Sequence, residues 1–281
     1  MNTNRYFSVR TALCAALLPL LTACGGGGGT TSPTAPPPVS NTPAPTPTPP
    51  APTTPPPFSG TIFLDPDIIT ASDPTTFQGL TDKGQGTRSM FDRRVNAFVT
   101  VNAYVFGATF SDGLTAEVQV NPEFGGTDAA RAVAEQYTAA IGRIPRPLRV
   151  SMATVWIHQG VQAFGGGNNN LLIHTGQGDE YIANGILEET FVHEASHTSL
   201  DALHAASAGW LAAQTADGTY ISTYAQENPQ REDVAESFLP YLAVKYRADR
   251  VSADLANTIR TTIPNRIAYF DSALGTIIMP E

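Results

Sequence analysis

Hydrophobic and polar positions change their period partway along the chain. In the first half, TIFLDPDII (Thr61–Ile69) and VNAFVTVNAYVFGATF (Val95–Phe110) are rich in β-branched and aromatic residues, and LTAEVQVN (Leu114–Asn121) alternates with period two. All three predict strands, and Ser111-Asp112-Gly113 between the last two is a hairpin signal. LRVSMATVWI (Leu148–Ile157) and LLIHT (Leu171–Thr175) predict further strands, with GGGNNN (Gly165–Asn170) as the turn that separates them. A helix is predicted over Thr127–Gly142, with an Ala-rich body, Thr127 and Asp128 as its cap and Gly142 as its close.

Helical spacing dominates the second half. Helices are predicted at Ala183–Leu203, at Ala205–Thr215, from Pro229 (with Asn228 as cap) through Glu232 and Glu236, and at Ser252–Ile263, closing near Pro264. Pro240 is expected to kink or break the third of these. Asp217–Gln230 reads as a polar loop that carries Tyr220 and Tyr224. Strands followed by helices predict an α+β domain: an N-terminal mixed or antiparallel sheet, then a helical C-terminal half.

The first 57 residues fit neither pattern. Arg5 and Arg10 precede the apolar run Thr11–Leu21, which is too short to span a bilayer comfortably, and Leu21-Thr22-Ala23-Cys24 follows. This resembles the signal and lipobox of bacterial lipoproteins, which implies cleavage before Cys24 and acylation of that cysteine. Several acyl chains on one residue would anchor the protein stably, and Gly25 rather than an aspartate after the cysteine favours the outer membrane under the lipoprotein sorting pattern. Residues 25–57 are five glycines followed almost wholly by Pro, Thr, Ala and Ser, without charge. Such a segment has nothing to bury and predicts a disordered tether, able to reach about 100 Å when fully extended.

One domain is therefore expected over 58–281. Without the leader's two arginines, 14 basic residues face 25 acidic ones, a formal charge of −11. An acidic domain without a basic stripe excludes nucleic acid as the expected partner. The two cysteines, Cys14 and Cys24, both lie in the leader, so no disulfide is expected in the domain, which should behave as a monomer.

Candidate chemistry is concentrated in EETFVHEASHTSLD (Glu188–Asp201). His193 and His197 are four residues apart, so a helix presents both imidazoles on one face, with Glu194 beside them. This HExxH spacing supplies two zinc ligands and a general base. A catalytic zinc needs a third protein ligand and an open position for water. Asp201 stands eight residues from His193, about 12 Å along a helix, and cannot share a metal with both histidines. It is expected as an outer partner of a ligand or as an exposed helix residue. The metzincin pattern would need glycine at position 200 and histidine at position 203; Leu200 and Leu203 stand there, and His204 is one place out of register. His158 and His174 fall in or at the ends of predicted strands and are expected to pack there. A carboxylate on the Arg231–Phe238 segment remains, where Glu232 and Glu236 again share one helix face, opposite the apolar positions Val234, Phe238, Tyr241 and Leu242.

HEASH at His193–His197, Asp201, Tyr224 and EDVAE at Glu232–Glu236 together resemble the gluzincin zinc metallopeptidases, most of all the catalytic domain of anthrax lethal factor. The resemblance covers about a fifth of the domain. It implies a zincin-like fold, one Zn2+ held by His193, His197 and Glu232, and Glu236 receiving the spare N–H of a ligand histidine. It also implies Tyr224 as the oxyanion donor, a role for which Tyr220 competes. The expected activity is zinc-dependent peptide hydrolysis with Glu194 as general base, on a peptide or protein that pairs with a sheet edge, for which LLIHT is the candidate. The rival expectation is a non-catalytic zinc-binding envelope lipoprotein that acts as a binding module.

Overall fold

The computed structural model describes residues 54–281. The signal segment with Cys24, and the tether as far as residue 53, lie outside the described residues.

Six strands form one mixed sheet. β1 (Phe77–Asp92), β2 (Ala97–Phe110) and β3 (Thr115–Val120) are antiparallel neighbours. β4 (Thr154–His158) and β6 (Asn170–His174) continue the sheet in parallel, and β5 (Gly165–Gly167) closes the far edge, antiparallel to β6. The spatial order is β1-β2-β3-β4-β6-β5. Alternation sorts the side chains as strand geometry requires. Phe106, Ala108 and Phe110 of β2, Val118 and Val120 of β3, Val155 and Ile157 of β4, and Leu171 and Ile173 of β6 enter the main core. Ala103 and Val105 of β2 form a second, small cluster with Met90 and Trp156.

The helices are α1 (Thr127–Ile141), α2 (Thr175–Ala183), α3 (Leu187–Ser199), α4 (Asp201–His204), α5 (Ala208–Asp217), α6 (Thr223–Glu227), α7 (Asp233–Tyr246), α8 (Ala253–Thr262) and α9 (Pro264–Leu274). The architecture is α+β, a mixed sheet followed by a helical half, as the pattern predicts. α3 packs on α7 and on β5, and this junction positions the candidate site. None of these helices is long and apolar enough to cross a membrane.

Several boundaries depart from expectation, each for a physical reason. Thr61–Ile69 is not a strand. Ile62, Leu64, Ile68 and Ile69 are buried, but their segment is an irregular strap whose amides meet carboxylates rather than a neighbouring strand. Leu64 and Ile68 N–H donate to the two oxygens of Glu189 (both 2.9 Å), and Ile62 N–H donates to Glu236 (3.1 Å). Residues 148–153 precede β4 as turns, not strand. β1 had no apolar signature because it is a polar edge strand, and Asp82 and Lys83 suit an edge that must not pair further.

GGGNNN is mostly strand: only Asn168 and Asn169 form the turn. Asn168 and Asn169 take positive φ (50° and 60°), the two-residue hairpin geometry that joins β5 to β6. LLIHT is therefore an interior strand, and the edge belongs to the glycines. α1 starts one residue earlier than a Thr127 cap requires: Gly126 is its cap and supplies no side-chain bond. The predicted Ala183–Leu203 helix is divided, because Gly185 at φ +79° separates α2 from α3 and Leu200 separates α3 from α4. The expected 217–230 loop contains α6. α7 begins after Glu232 rather than at Pro229 and continues through Pro240, where burial on every side offsets the missing backbone bond. α9 was not expected.

Candidate metal centre

α3 carries His193 and His197 one turn apart, with Phe191, Val192 and Ala195 buried behind them. Ser196 and Thr198 point away from the solvent side, and each hydroxyl returns to a backbone carbonyl one turn earlier. α7 arrives from the other side. Its cap residue Glu232 is 1 % exposed and aims its carboxylate at the two imidazoles. Nε2 of His197 lies 3.1 Å from Glu232 Oε2, Nε2 of His193 lies 3.4 Å from the same oxygen, and the two nitrogens are 3.3 Å apart. Among the described residues this is the one group of three potential ligands that converges so closely.

Those separations test the donor set. Tetrahedral zinc with bonds of about 2.0–2.1 Å places its ligand atoms about 3.3–3.4 Å apart. The observed triangle of 3.1–3.4 Å has that size, and its donors, two imidazoles and one carboxylate, are those of a catalytic zinc site with an open position. The residues present fit the metal.

Outer partners hold both rings. His197 Nδ1 lies 2.7 Å from Asp201 Oδ2, and His193 Nδ1 lies 3.3 Å from Glu236 Oε1, a buried oxygen with no other hydrogen-bond partner among the described residues. With each Nδ1 turned to a carboxylate, each Nε2 faces the common point. Electrostatics follow the same geometry. Burial opposes charge on His193, but bonds to Glu232 and Glu236 outweigh it and raise its pKa well above the ordinary value. Burial likewise opposes charge on His197, yet Asp201 and Glu232 raise it to about 9. Glu232 is pushed up by burial and pulled down further by the two histidines, so it is held well below the usual carboxylate range.

Glu194 is half-buried on the same helix, beside the histidines. The glycine edge lies directly on its backbone: a Cβ added to Gly166 would sit 1.7 Å from the Glu194 carbonyl oxygen. Thr198 Oγ1 fastens the same contact, accepting from Gly167 N–H at 3.0 Å. Tyr224, on α6, adjoins Glu232. Burial and then Glu232 raise its phenol to about 12, so it stays protonated and able to donate. Tyr220 lies elsewhere, its ring 5.0 Å from the Arg266 guanidinium.

The other histidines are not at the centre. His204 Nδ1 meets the Tyr269 hydroxyl at 2.8 Å. His158 and His174 are fully buried, stacked at 5.3 Å between ring centroids. They belong to no group of three converging ligand atoms among the described residues, and burial lowers both pKa values, that of His158 to about 4.

Three neighbours of the site carried no signal of their own. Arg231 Nε donates to Glu232 Oε1 at 2.7 Å, leaving Oε2 for the imidazoles. Tyr181 is raised to about 12 by burial and by the charge of nearby Glu194. Ser222 bonds to Glu236. Only Arg231 was findable, from its place next to Glu232. Comparison with protein-family models, curated proteins and solved structures found no match to this chain.

Proposed function

We propose that the chain is a zinc-dependent metallopeptidase, tethered to the bacterial cell envelope through acylated Cys24. The observation that carries this reading is the triangle of His193 Nε2, His197 Nε2 and Glu232 Oε2, with sides of 3.1–3.4 Å. A zinc ion held there would act as a Lewis acid, acidifying a water and polarising the scissile carbonyl.

The chain's own groups supply the remainder. Glu194 takes the proton of the attacking water and returns it to the leaving amine. Tyr224 donates its O–H to the oxygen that gains charge in the transition state. Asp201 and Glu236 keep the two imidazoles in the tautomer that leaves Nε2 free. The backbone of β5, outermost in the sheet on the side of α3, is the edge with which an extended peptide would pair.

The test is metal analysis and peptide cleavage on the 58–281 domain. About one zinc per domain is expected, in line with a single three-ligand site. Glu194→Gln should keep the metal and abolish hydrolysis of a broad peptide library. A wild-type domain that holds no zinc would overturn the reading. Zinc-loaded protein that cleaves nothing would leave the centre as a binding module.

A further inference from the structure

Glu236 is the partner of His193, and its own environment extends that relation to the strap. The carboxylate is fully buried. Its Oε1 faces His193 Nδ1, while Oε2 accepts two bonds: from the Ser222 hydroxyl at 2.5 Å and from the Ile62 amide of the strap at 3.1 Å.

Ser222 is also fully buried and has a second task. Its Oγ accepts from Ala225 N–H at 3.1 Å and so caps α6, the helix that carries Tyr224. The backbone beside it pairs with the first residues of the described domain: Phe58 N–H donates to Ile221 O (3.3 Å), and Thr223 N–H donates to Phe58 O (2.9 Å). One hydroxyl thus joins the cap of α6 to the carboxylate behind His193, and the strap meets the same carboxylate oxygen through the Ile62 amide.

We propose that Ser222 is a positioning residue of the metal centre. With the Ile62 amide, it pins Glu236 Oε2 so that Oε1 is aimed at His193 Nδ1 and Nε2 is turned to the metal. The physical basis is the soft terminal torsion of a glutamate, which rotates broadly unless both oxygens are engaged. Two donors on Oε2 fix the plane of the carboxylate, and the plane fixes the ring. The proposal rests on the zinc reading above.

The competing role, a plain helix cap, has a control in the same protein. Ser252 caps α8 by the same bond, accepting from Leu255 N–H at 3.1 Å, on a helix that carries none of the candidate ligands and, among the described residues, without a carboxylate partner. The experiment measures zinc affinity of the 58–281 domain by competition with a chromophoric chelator, and urea unfolding of the metal-free protein. Ser222→Ala should weaken zinc binding by ~10-fold or more, as loss of an outer partner does, while Ser252→Ala loses stability and keeps its zinc affinity. Ser222→Gly, which a helix cap tolerates well, removes the hydroxyl while sparing much of the cap and should weaken zinc equally. Folded Ser222 variants that hold zinc within about twofold of wild type would overturn the proposal and leave the zinc site standing. A wild type that holds no zinc would overturn both.

Discussion

Asp201 illustrates how a residue's meaning depends on what it meets. Helix spacing excludes it as a ligand, and its contact with His197 Nδ1 at 2.7 Å makes it the group that orients a candidate ligand. Removing its charge while keeping its shape, Asp201→Asn, should weaken zinc binding about 10–100-fold, the usual cost of losing an outer carboxylate. Glu232→Ala should weaken it beyond that range, since a donor atom itself is lost; chelator competition ranks the two variants. The reverse ranking would mean that Glu232 is not a ligand. His193, Glu194 and His197 were legible without any structure, because i, i+4 geometry is local. The choice between Tyr220 and Tyr224 was not, because which tyrosine faces the site depends on how α6 is seated, and that is decided by a buried serine and a strap more than 150 residues away in sequence.

At the level of elements, the site stands where a glycine edge strand, the α3 helix and the strap meet. Gly166 is required there by close approach, since any Cβ runs into the Glu194 carbonyl. Gly166→Ala should cost about 3 kcal/mol or more in urea unfolding, at the upper end of overpacking penalties, and should displace β5 from α3. Glycine runs read as turns in sequence because their two uses, left-handed turns and backbone contact, share one composition.

The strap shows a second limit of pattern. Its apolar residues are buried as a strand's would be, but its amides bond to Glu189 and Glu236 instead of a ladder. Burial raises the Glu189 pKa to about 8, and nearby Asp67 and Glu188 add to it. A carboxyl whose folded pKa lies above its unfolded value of about 4.3 contributes stability that is complete below that value and is lost as pH rises through about 8. Glu189→Gln does not titrate, so the stability of wild type relative to this variant should fall as pH rises from about 5 to about 8. A constant difference in urea unfolding would show that Glu189 does not change protonation there.

On the scale of the whole molecule, the helical half is locked by a buried ion network directly behind the metal centre. Arg266 of α9 is fully buried and donates to Asp217 (2.9 Å) and to Asp233 (2.9 Å), the residue after Glu232. Arg266→Ala removes the counter-charge of two buried carboxylates and should cost about 3–5 kcal/mol of unfolding free energy, measured by urea titration. A loss below 1 kcal/mol would mean that water or a rearranged side chain already satisfies those carboxylates.

The sequence by itself determined the class of architecture and half of the candidate metal centre. Period-two strands, 3.6-period helices and the His193–His197 spacing are properties of chain segments a few residues long, and they survive in any environment. Only tertiary structure decided the rest. Glu232 meets the histidines 35 positions away from His197 because α7 packs on α3, and the sheet edge is glycine because β5, not β6, lies outermost. The strap becomes part of the site because buried carboxylates must find donors wherever the fold brings them. Such relations come from packing between segments distant in sequence, and no local periodicity encodes them.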